Sequence, residues 1–155
     1  MHSTFKLLID SLEPLFQSLM DMNPVIVQNL PRDMPKAGNY LFSEGNSHLY
    51  VGRTNSLRKR LQTYCQPGSG HNSATFAFRL ARKATGFLEA TYARKGSRQH
   101  LQDDPRFGPV FVEQKARVRD MQVRYVEEEE QIRQALLEMY VAVSLKTPHN
   151  DFDNH

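Results

Sequence analysis

GNYLFSEGNSHLYVGRT, residues 38–54, contains two short runs that are rich in Tyr, Leu, Phe and Val. The segment EGN at residues 44–46 separates these runs, and it is typical of a tight turn. Two extended runs joined by such a turn predict a β-hairpin, with strands over residues 39–43 and 48–53. This hairpin is the element from which the rest of the fold can be built.

The register of the hairpin decides which of its side chains lie together. If Gly45 lies at the centre of the turn, Tyr40 and Tyr50 are expected to lie opposite each other on one face of the sheet. Tyrosine is common in strands, where it usually packs as a core or cross-strand aromatic residue. The two tyrosines alone therefore do not indicate a catalytic site.

Two helices are predicted after the hairpin. Thr-Asn-Ser at residues 54–56 can cap a helix over Leu57–Tyr64, which the Pro/Gly-rich loop at residues 66–70 should end. A second helix should begin after Ser73, with His71-Asn72-Ser73 as its expected cap. Its predicted inner face consists of four small or apolar residues, Ala77, Leu80, Ala81 and Ala84.

The remaining segments complete an α+β fold. Residues 86–115 are interpreted as an insertion with a helix near residues 87–94, a Gly/Asp/Pro loop and a short helix after Pro109. Alternating apolar residues at 121–125 predict a third strand, and a long helix is predicted from about Glu128 to Leu145. We therefore expect a three-stranded antiparallel sheet flanked by helices.

The first 35 residues are predicted to form an N-terminal helical extension. An apolar stripe predicts helix over residues 4–22, and Pro14 should split it, because proline fits a first helical turn but not a helix interior. Residues 23–36 contain three prolines and are interpreted as an irregular connector. The predicted division is thus residues 1–35 and a main domain over residues 36–155.

Composition is that of an ordinary globular protein, with 39% hydrophobic and 24% charged residues. No run approaches the roughly 18 apolar residues that span a bilayer, and the first residues lack the basic leader of a secretory signal. The single cysteine, Cys65, cannot form an internal disulfide or a CxxC zinc site. The histidines also lack metal-ligand spacing. We expect a cytoplasmic protein that does not associate with membranes.

The charge distribution gives a weak indication of a polyanionic partner. The formal net charge is +3, but many enzymes are equally basic. Basic residues concentrate in residues 53–60 and 79–83, whereas acidic residues concentrate in residues 127–130 and the C-terminal tail. Basic side chains on one helix face could contact phosphates, and an ordinary solvated surface explains them equally well.

The hairpin and the helix after it also carry a family resemblance. GNY at residues 38–40, LYVGRTNSL at 49–57 and RL at 60–61 are together similar to the pattern GIY…YIG-x-T-x-x-L-x-x-R-L of the GIY-YIG nucleases. Asn39 stands where the family usually has isoleucine, and Val51 also replaces an isoleucine. These three segments, in this order and spacing, indicate the family more specifically than either three-residue motif alone. The resemblance covers residues 38 to about 85 well and residues 117–150 more loosely.

The resemblance implies a metal-dependent endonuclease that hydrolyses DNA phosphodiester bonds. Tyr40 matches the tyrosine proposed as general base for the attacking water, and Tyr50 the one that positions water or phosphate. A free phenol is only about a thousandth ionised at neutral pH, so a base role needs nearby cations. Arg60 matches the arginine that stabilises charge on the phosphorus. Tyr64 stands one helical turn later, where the family often has histidine, and either residue can hydrogen-bond the phosphate.

Glu138 is the only charged residue in the apolar run at residues 135–143. A buried carboxylate must reach solvent, an arginine or a metal, because burying it alone is too costly. A helix-edge glutamate that reaches water is one interpretation. The resemblance implies another, in which Glu138 is the sole protein ligand of Mg²⁺ (or Mn²⁺). That cation would hold the phosphate and neutralise the departing 3′ oxygen, and the products would carry a 5′ phosphate and a 3′ hydroxyl.

Further residues are predicted to contact DNA, through their charge or through the resemblance, which includes an asparagine after the last helix. They are Arg53, Lys59, His71, Arg79, Arg82, Lys83 and Asn150. No element of the sequence would read a long DNA site. Specificity is therefore expected to come from the insertion, the N-terminal extension, a second subunit in a homodimer or a partner protein.

Two other functions remain open at this level. One is a nucleic-acid-binding module that has the fold but does not cut, which would account for Asn39 in the first motif and for Tyr64. The other is an unrelated α+β interaction protein. Metal-dependent cleavage distinguishes the nuclease from both, and salt-sensitive DNA binding distinguishes the binding module from the interaction protein.

Overall fold

The computed structural model describes residues 1–86 and 98–153. The chain divides into two compact units, Met1–Arg60 with Met121–His155 and Leu61–Asp120. No helix in the described part of the chain is both long enough and apolar enough to cross a bilayer.

A three-stranded antiparallel sheet forms the centre of the first unit, as the sequence predicted. The strands are β1 (Gly38–Glu44), β2 (Ser47–Thr54) and β3 (Gln122–Glu127), in the spatial order β2-β1-β3. Gly45, in the turn between β1 and β2, has a φ of 58°. Glycine adopts this left-handed conformation without strain, which explains its position in the hairpin.

The register of the hairpin differs from the predicted one. Tyr40 pairs with Gly52 and Phe42 with Tyr50, so the two tyrosines are diagonal neighbours, and the prediction that they lie opposite each other is wrong. The turn is centred between residues 45 and 46, and a bulge gives β2 one extra residue, Leu49. Paired residues share a face, so both phenols still belong to one side of the sheet, as predicted.

Three helices accompany the sheet in the first unit: α1 (Ser3–Asp10), α2 (Leu12–Asp21) and α7 (Gln131–Leu145). The predicted N-terminal helix is indeed split, and Pro14 lies in the first turn of α2, where its missing N–H is tolerated. The core between these elements is aliphatic. Its buried members are Leu12, Leu19, Leu41, Val51, Val126, Leu137, Val141 and Ala142.

The connector between α2 and β1 has more structure than predicted. A short 3₁₀ helix covers Val27–Asn29. Just before it, Val25 forms an antiparallel bridge to Val123 of β3. The backbone hydrogen bonds of this bridge, 3.0 and 2.7 Å long, attach the N-terminal segment to the sheet.

The last helix begins later than predicted, at Gln131, and both of its ends are capped. The carboxylate of Glu130 accepts hydrogen bonds from the backbone N–H groups of Ile132 (3.0 Å) and Arg133 (2.7 Å). Lys146 ends the helix in the left-handed conformation, with a φ of 52°. The acidic run at residues 127–130 therefore provides the start of α7, which is favourable near a helix N-terminus.

The secondary structure of the second unit, in its described residues, is helical. Helix α3 (Leu57–Cys65) begins in the first unit and continues into the second, which also contains α4 (Thr75–Thr85), α5 (Arg98–Asp103) and α6 (Phe107–Asp120). Three aromatic rings form part of the core of this unit: the Phe78 ring lies 5.0 Å from that of Phe107 and 5.6 Å from that of Phe111.

Several predictions for the second unit need correction. The N-cap of α4 is Ala74, without a side-chain hydrogen bond, so the cap predicted at residues 71–73 is wrong. On α4, Ala77, Leu80 and Ala81 are buried as predicted, but Ala84 is exposed. Helix α5 occupies part of the predicted loop, and α6 begins before Pro109. The helix predicted near residues 87–94 lies outside the described residues.

Candidate active site

Hydrogen bonds within the first unit fix the start of α3. The N–H of Leu57 donates to the carbonyl of Lys36 at 2.7 Å, and the N–H of Ser56 donates to Thr54 Oγ1 at 3.0 Å. The Arg58 guanidinium donates to the carbonyls of Pro31 and Arg32. These contacts place the first turn of α3, and with it Arg60, directly after β2.

Tyr40 lies in the central strand with its phenol across Gly52. Its side chain is only 1% exposed. A methyl group at position 52 would overlap the phenol oxygen of Tyr40, which explains why the second motif contains a glycine. The Phe42 ring meets the Tyr40 ring edge-on, with 5.9 Å between the ring centres. Tyr40 is therefore held on both sides.

Two further tyrosines share the face of the sheet that carries Tyr40. Tyr50 is half-buried and pairs with Phe42. Tyr125 pairs with Tyr40 across β1 and β3, and the sequence analysis did not select it. Burial raises the pKa of Tyr125, whereas the positive charge of Arg58 lowers it. The alternating pattern of β3 could have identified this residue only if the register had been known.

Glu138 lies on the buried side of α7. Gln134 and Ala142, one turn before and one turn after it, are both buried. The Glu138 side chain is 27% exposed, and its Oε2 lies 3.7 Å from Nε of Arg53 on β2. Burial raises the pKa of this carboxyl, and the Arg53 charge partly offsets the increase. The ion pair is longer than a hydrogen bond, so Arg53 compensates the buried charge only in part.

The structure thus brings Arg53 and Glu138 together at the edge strand. Arg53 pairs with Asn39 and alternates along β2 with Gly52, so it belongs to the face opposite the phenols. The Arg53–Glu138 pair and the phenols therefore lie on opposite faces of the sheet, with Tyr50 and Arg53 on the edge strand β2 and Tyr40 on the central strand β1.

The other two predicted catalytic residues lie on α3. Arg60 is half-buried, and Tyr64, one turn later, is buried. Lys59, between Arg58 and Arg60, is exposed.

Asn150 binds the backbone of β2. Its Nδ2 donates to the carbonyl of Val51 at 2.8 Å, and its Oδ1 accepts from the Val51 N–H at 3.0 Å and from Thr147 Oγ1 at 2.7 Å. The amide therefore fixes the strand between Tyr50 and Gly52. A direct contact of Asn150 with DNA stays a prediction.

The remaining predicted DNA contacts lie in the second unit. The backbone N–H of His71 donates to Gln102 Oε1 at 2.9 Å, and the His71 ring Nδ1 lies 2.7 Å from the same oxygen. Since that oxygen only accepts, Nδ1 carries the proton. On α4, Arg79 and Arg82 are half-buried and Lys83 is exposed.

A metal site at Glu138 would rest on this one carboxylate. In the part of the chain that the structure describes, no group of three or more His, Cys, Asp or Glu side chains could hold a metal ion. Mg²⁺ is commonly held by one or two carboxylates, with water and phosphate oxygens completing its shell. A half-buried carboxylate whose charge is only partly compensated fits such a cation.

A comparison with known protein families gives one match. The sequence model of the GIY-YIG catalytic domain matches residues 36–142, a range that contains the hairpin, α3 and Glu138. No curated protein and no solved structure matches the chain significantly. The division at residue 35 stays a prediction, whereas the predicted family and α+β fold are confirmed. Because the match covers more than half of its residues, the chain belongs to the GIY-YIG catalytic domain family, a family of nucleases.

Proposed function

We propose that this chain is a metal-dependent endonuclease that hydrolyses phosphodiester bonds in DNA. The observation that carries the proposal is the position of Glu138 on the buried side of α7, within the range that matches the family. A carboxylate at such a position destabilises the fold unless positive charge compensates it. Arg53, at 3.7 Å, supplies part of that compensation, and a bound cation would supply the rest.

Arg60 stabilises the charge that develops on the phosphorus. A guanidinium can donate two parallel hydrogen bonds to phosphate oxygens and stays charged throughout the reaction. Tyr64, one turn later on the same helix, donates a hydrogen bond to the phosphate. Donors held in place before the reaction stabilise a transition state without the cost of reorganisation.

Tyr40 accepts the proton of the attacking water. The contact with Gly52 and the edge-on ring of Phe42 fix the position of its phenol, as a general base requires. A phenol that acts as a base requires positive charge nearby, and we propose that Arg60 supplies it. Tyr50, on the same face, orients the water or a phosphate oxygen. In-line attack leaves a 5′ phosphate and a 3′ hydroxyl.

Glu138 holds the divalent cation, Mg²⁺ or Mn²⁺. When bound there, the cation supplies positive charge to the scissile phosphate and to the departing oxygen. Burial raises the pKa of Glu138, and the charge of Arg53 offsets part of this rise, which favours the ionised form that binds a cation.

Nicking of supercoiled plasmid in Mg²⁺ or Mn²⁺ tests the proposal. The wild-type protein should convert supercoiled DNA to the open circle, and EDTA should abolish this activity. Arg60→Ala and Glu138→Ala should each reduce the rate by about 10²–10³-fold. Arg32→Ala and Glu129→Ala are matched controls at exposed positions and should retain wild-type activity. Wild-type rates in Arg60→Ala and Glu138→Ala would refute the mechanism.

A non-cleaving nucleic-acid-binding module is the second candidate. It is favoured by the burial of the Tyr40 phenol, which is only 1% exposed. Anisotropy of a labelled duplex at increasing salt measures binding separately from cleavage. Salt-sensitive binding without any metal-dependent nicking by the wild-type protein would favour this candidate over the nuclease.

The choice of DNA site is proposed to depend on a second copy of the chain or on a partner protein. One catalytic centre cuts one strand at a time, so a double-strand break requires a second centre or rebinding. Sedimentation of the protein with and without a nicked duplex tests whether two copies assemble on DNA.

A further inference from the structure

Asn39 and Gln134 form a buried polar link between β1 and α7. Asn39 has no exposed surface, and Gln134 is 1% exposed. Asn39 Nδ2 donates a hydrogen bond of 3.0 Å to the backbone carbonyl of Gln134. The link thus joins the strand that carries Tyr40 to the helix that carries Glu138.

The carbonyl that Asn39 contacts belongs to the helical turn that ends at Glu138. In an α-helix the carbonyl of residue 134 accepts the N–H of residue 138, and a carbonyl oxygen has two lone pairs, so it can accept both donors. Arg53, the cross-strand partner of Asn39, lies 3.7 Å from Glu138. Asn39–Gln134 and Arg53–Glu138 are therefore two adjacent links between the sheet and one turn of α7.

The side chain of Gln134 restrains the same turn. Its Nε2 donates to the carbonyl of Glu128 at 2.6 Å and to Asn55 Oδ1 at 3.2 Å. Asn55 Oδ1 also accepts from Gln131 Nε2 at 2.8 Å. With Asn39 on its backbone and Asn55 and Glu128 on its side chain, Gln134 can neither rotate about the helix axis nor slide along it without breaking hydrogen bonds.

The link carries an energetic cost. Asn39 Oδ1 is buried and has no hydrogen-bond partner among the described residues. A buried polar atom without a partner is destabilising, whereas an apolar side chain of similar size would avoid the penalty. The GIY-YIG pattern usually has isoleucine at this position. Local departures from stable packing are expected where they serve a function.

We propose that Asn39 is a positioning residue for Glu138, because its amide fixes the turn of α7 that directs the carboxylate toward the cation. This inference rests on the proposed nuclease function and deepens it. Asn39 itself contacts neither the cation nor the phosphate. It acts through the backbone of Gln134, so its loss should weaken metal binding without weakening the fold.

Mn²⁺ binding, measured from the electron paramagnetic resonance of free Mn²⁺, tests the proposal without DNA cleavage. Asn39→Ile should raise the Kd for Mn²⁺ about tenfold, as loss of an outer-shell hydrogen bond commonly does. Its Tm should equal or exceed that of the wild type. Ser43→Ala is the matched control, because Ser43 is a buried polar residue on the same strand and face, hydrogen-bonded to His48 instead of α7. It should leave the Kd unchanged.

Three results would overturn the proposal. An unchanged Kd in Asn39→Ile would show that the link does not act on the carboxylate. A lower Tm in that variant would assign Asn39 to stability instead of positioning. Glu138→Gln, measured in parallel, separates the proposed metal site from the role of Asn39: if this variant binds Mn²⁺ like the wild type, the metal site fails and the role of Asn39 fails with it. If Glu138→Gln loses binding and Asn39→Ile does not, only the inference fails.

Discussion

Gly52 shows how one missing side chain can fix the position of another residue. The Tyr40 phenol occupies the space that a Cβ at position 52 would need. Since Gly52 pairs with Tyr40 in the sheet, the strand backbone cannot move away without breaking the register. The glycine is therefore part of the arrangement that holds the proposed base.

Gly52→Ala should displace the Tyr40 ring. Overpacking of this kind costs about 1–3 kcal/mol of unfolding free energy, which urea denaturation would measure. Plasmid nicking should slow by more than about tenfold, because a base moved by an ångström loses its alignment. Gly68→Ala is the control, since a Cβ there would have no atom within 4 Å. Equal nicking by Gly52→Ala and the wild type would contradict the proposed role of Tyr40.

At the level of secondary-structure elements, α7 connects stability and function. Its N-terminus is capped by Glu130, its buried side includes Leu137, and Glu138 follows immediately. The helix must therefore be held at its start and along one face before its carboxylate has a defined position.

Glu130→Ala should lower the Tm in a pH-dependent manner. Hydrogen bonds from the N–H groups of Ile132 and Arg133 lower the pKa of Glu130. Because its pKa is lowered, the ionised Glu130 cap stabilises the fold at pH values above the ordinary glutamate pKa of about 4.3. This stabilisation is lost as the pH falls through the lowered pKa. Thermal melts between about pH 3 and about pH 7 should show the Tm of the variant approaching that of the wild type in acid. A Tm difference that does not depend on pH would contradict this account, and Glu129→Ala should show none.

Leu137→Ala should destabilise the packing of α7 on the sheet. Leu137 is fully buried in the aliphatic core, so its truncation should cost about 2–5 kcal/mol in urea unfolding. Ile132→Ala, on the same helix, removes a side chain that is 60% exposed and should stay within about 0.5 kcal/mol of the wild type. Equal losses in the two variants would show that α7 does not pack in this way.

The elements that sequence alone predicted are those specified by local patterns. Alternation predicted β3, and the two extended runs around Gly45 predicted the hairpin, because side-chain period and turn chemistry act over a few residues. The bulge at Leu49 was not predictable from the hairpin itself. The carbonyl of Leu49 accepts a hydrogen bond of 3.2 Å from the N–H of His149, a contact between residues far apart in the sequence.

In the candidate site, too, local sequence patterns predicted the residues, and contacts between distant segments were not predictable. Motif spacing selected Tyr40 and Arg60, and the apolar run at residues 135–143 together with the resemblance selected Glu138, without showing what each contacts. The ion pair of Glu138 with Arg53 and the link from Asn39 to Gln134 join residues that only folding brings together. Neither could be derived from periodicity, because periodicity describes a face of one element and not its partner.

At the scale of the whole molecule, charge is the property that matters for DNA. The formal net charge is +3, and the predicted phosphate contacts lie in both units, with Arg53 and Lys59 in the first and Lys83 in the second. Contacts of this type raise affinity for any duplex without reading its sequence.

Lys83→Ala should reduce the salt dependence of duplex binding. Removing one phosphate contact should lower the slope of log affinity against log salt by about 1, as measured by fluorescence anisotropy. Lys6→Ala is the control, because Lys6 lies on α1, outside the predicted DNA contacts, and its loss should leave the slope unchanged. An unaltered slope in Lys83→Ala would remove α4 from the DNA interface.

The C-terminal segment at residues 149–150 affects whether a second molecule can pair with the edge strand β2. An uncovered sheet edge offers backbone groups to which another chain can add a strand. Here Asn150 occupies both backbone groups of Val51, and the N–H of His149 occupies the carbonyl of Leu49. A strand of a second molecule could therefore pair with this part of β2 only after residues 149 and 150 had detached from Leu49 and Val51.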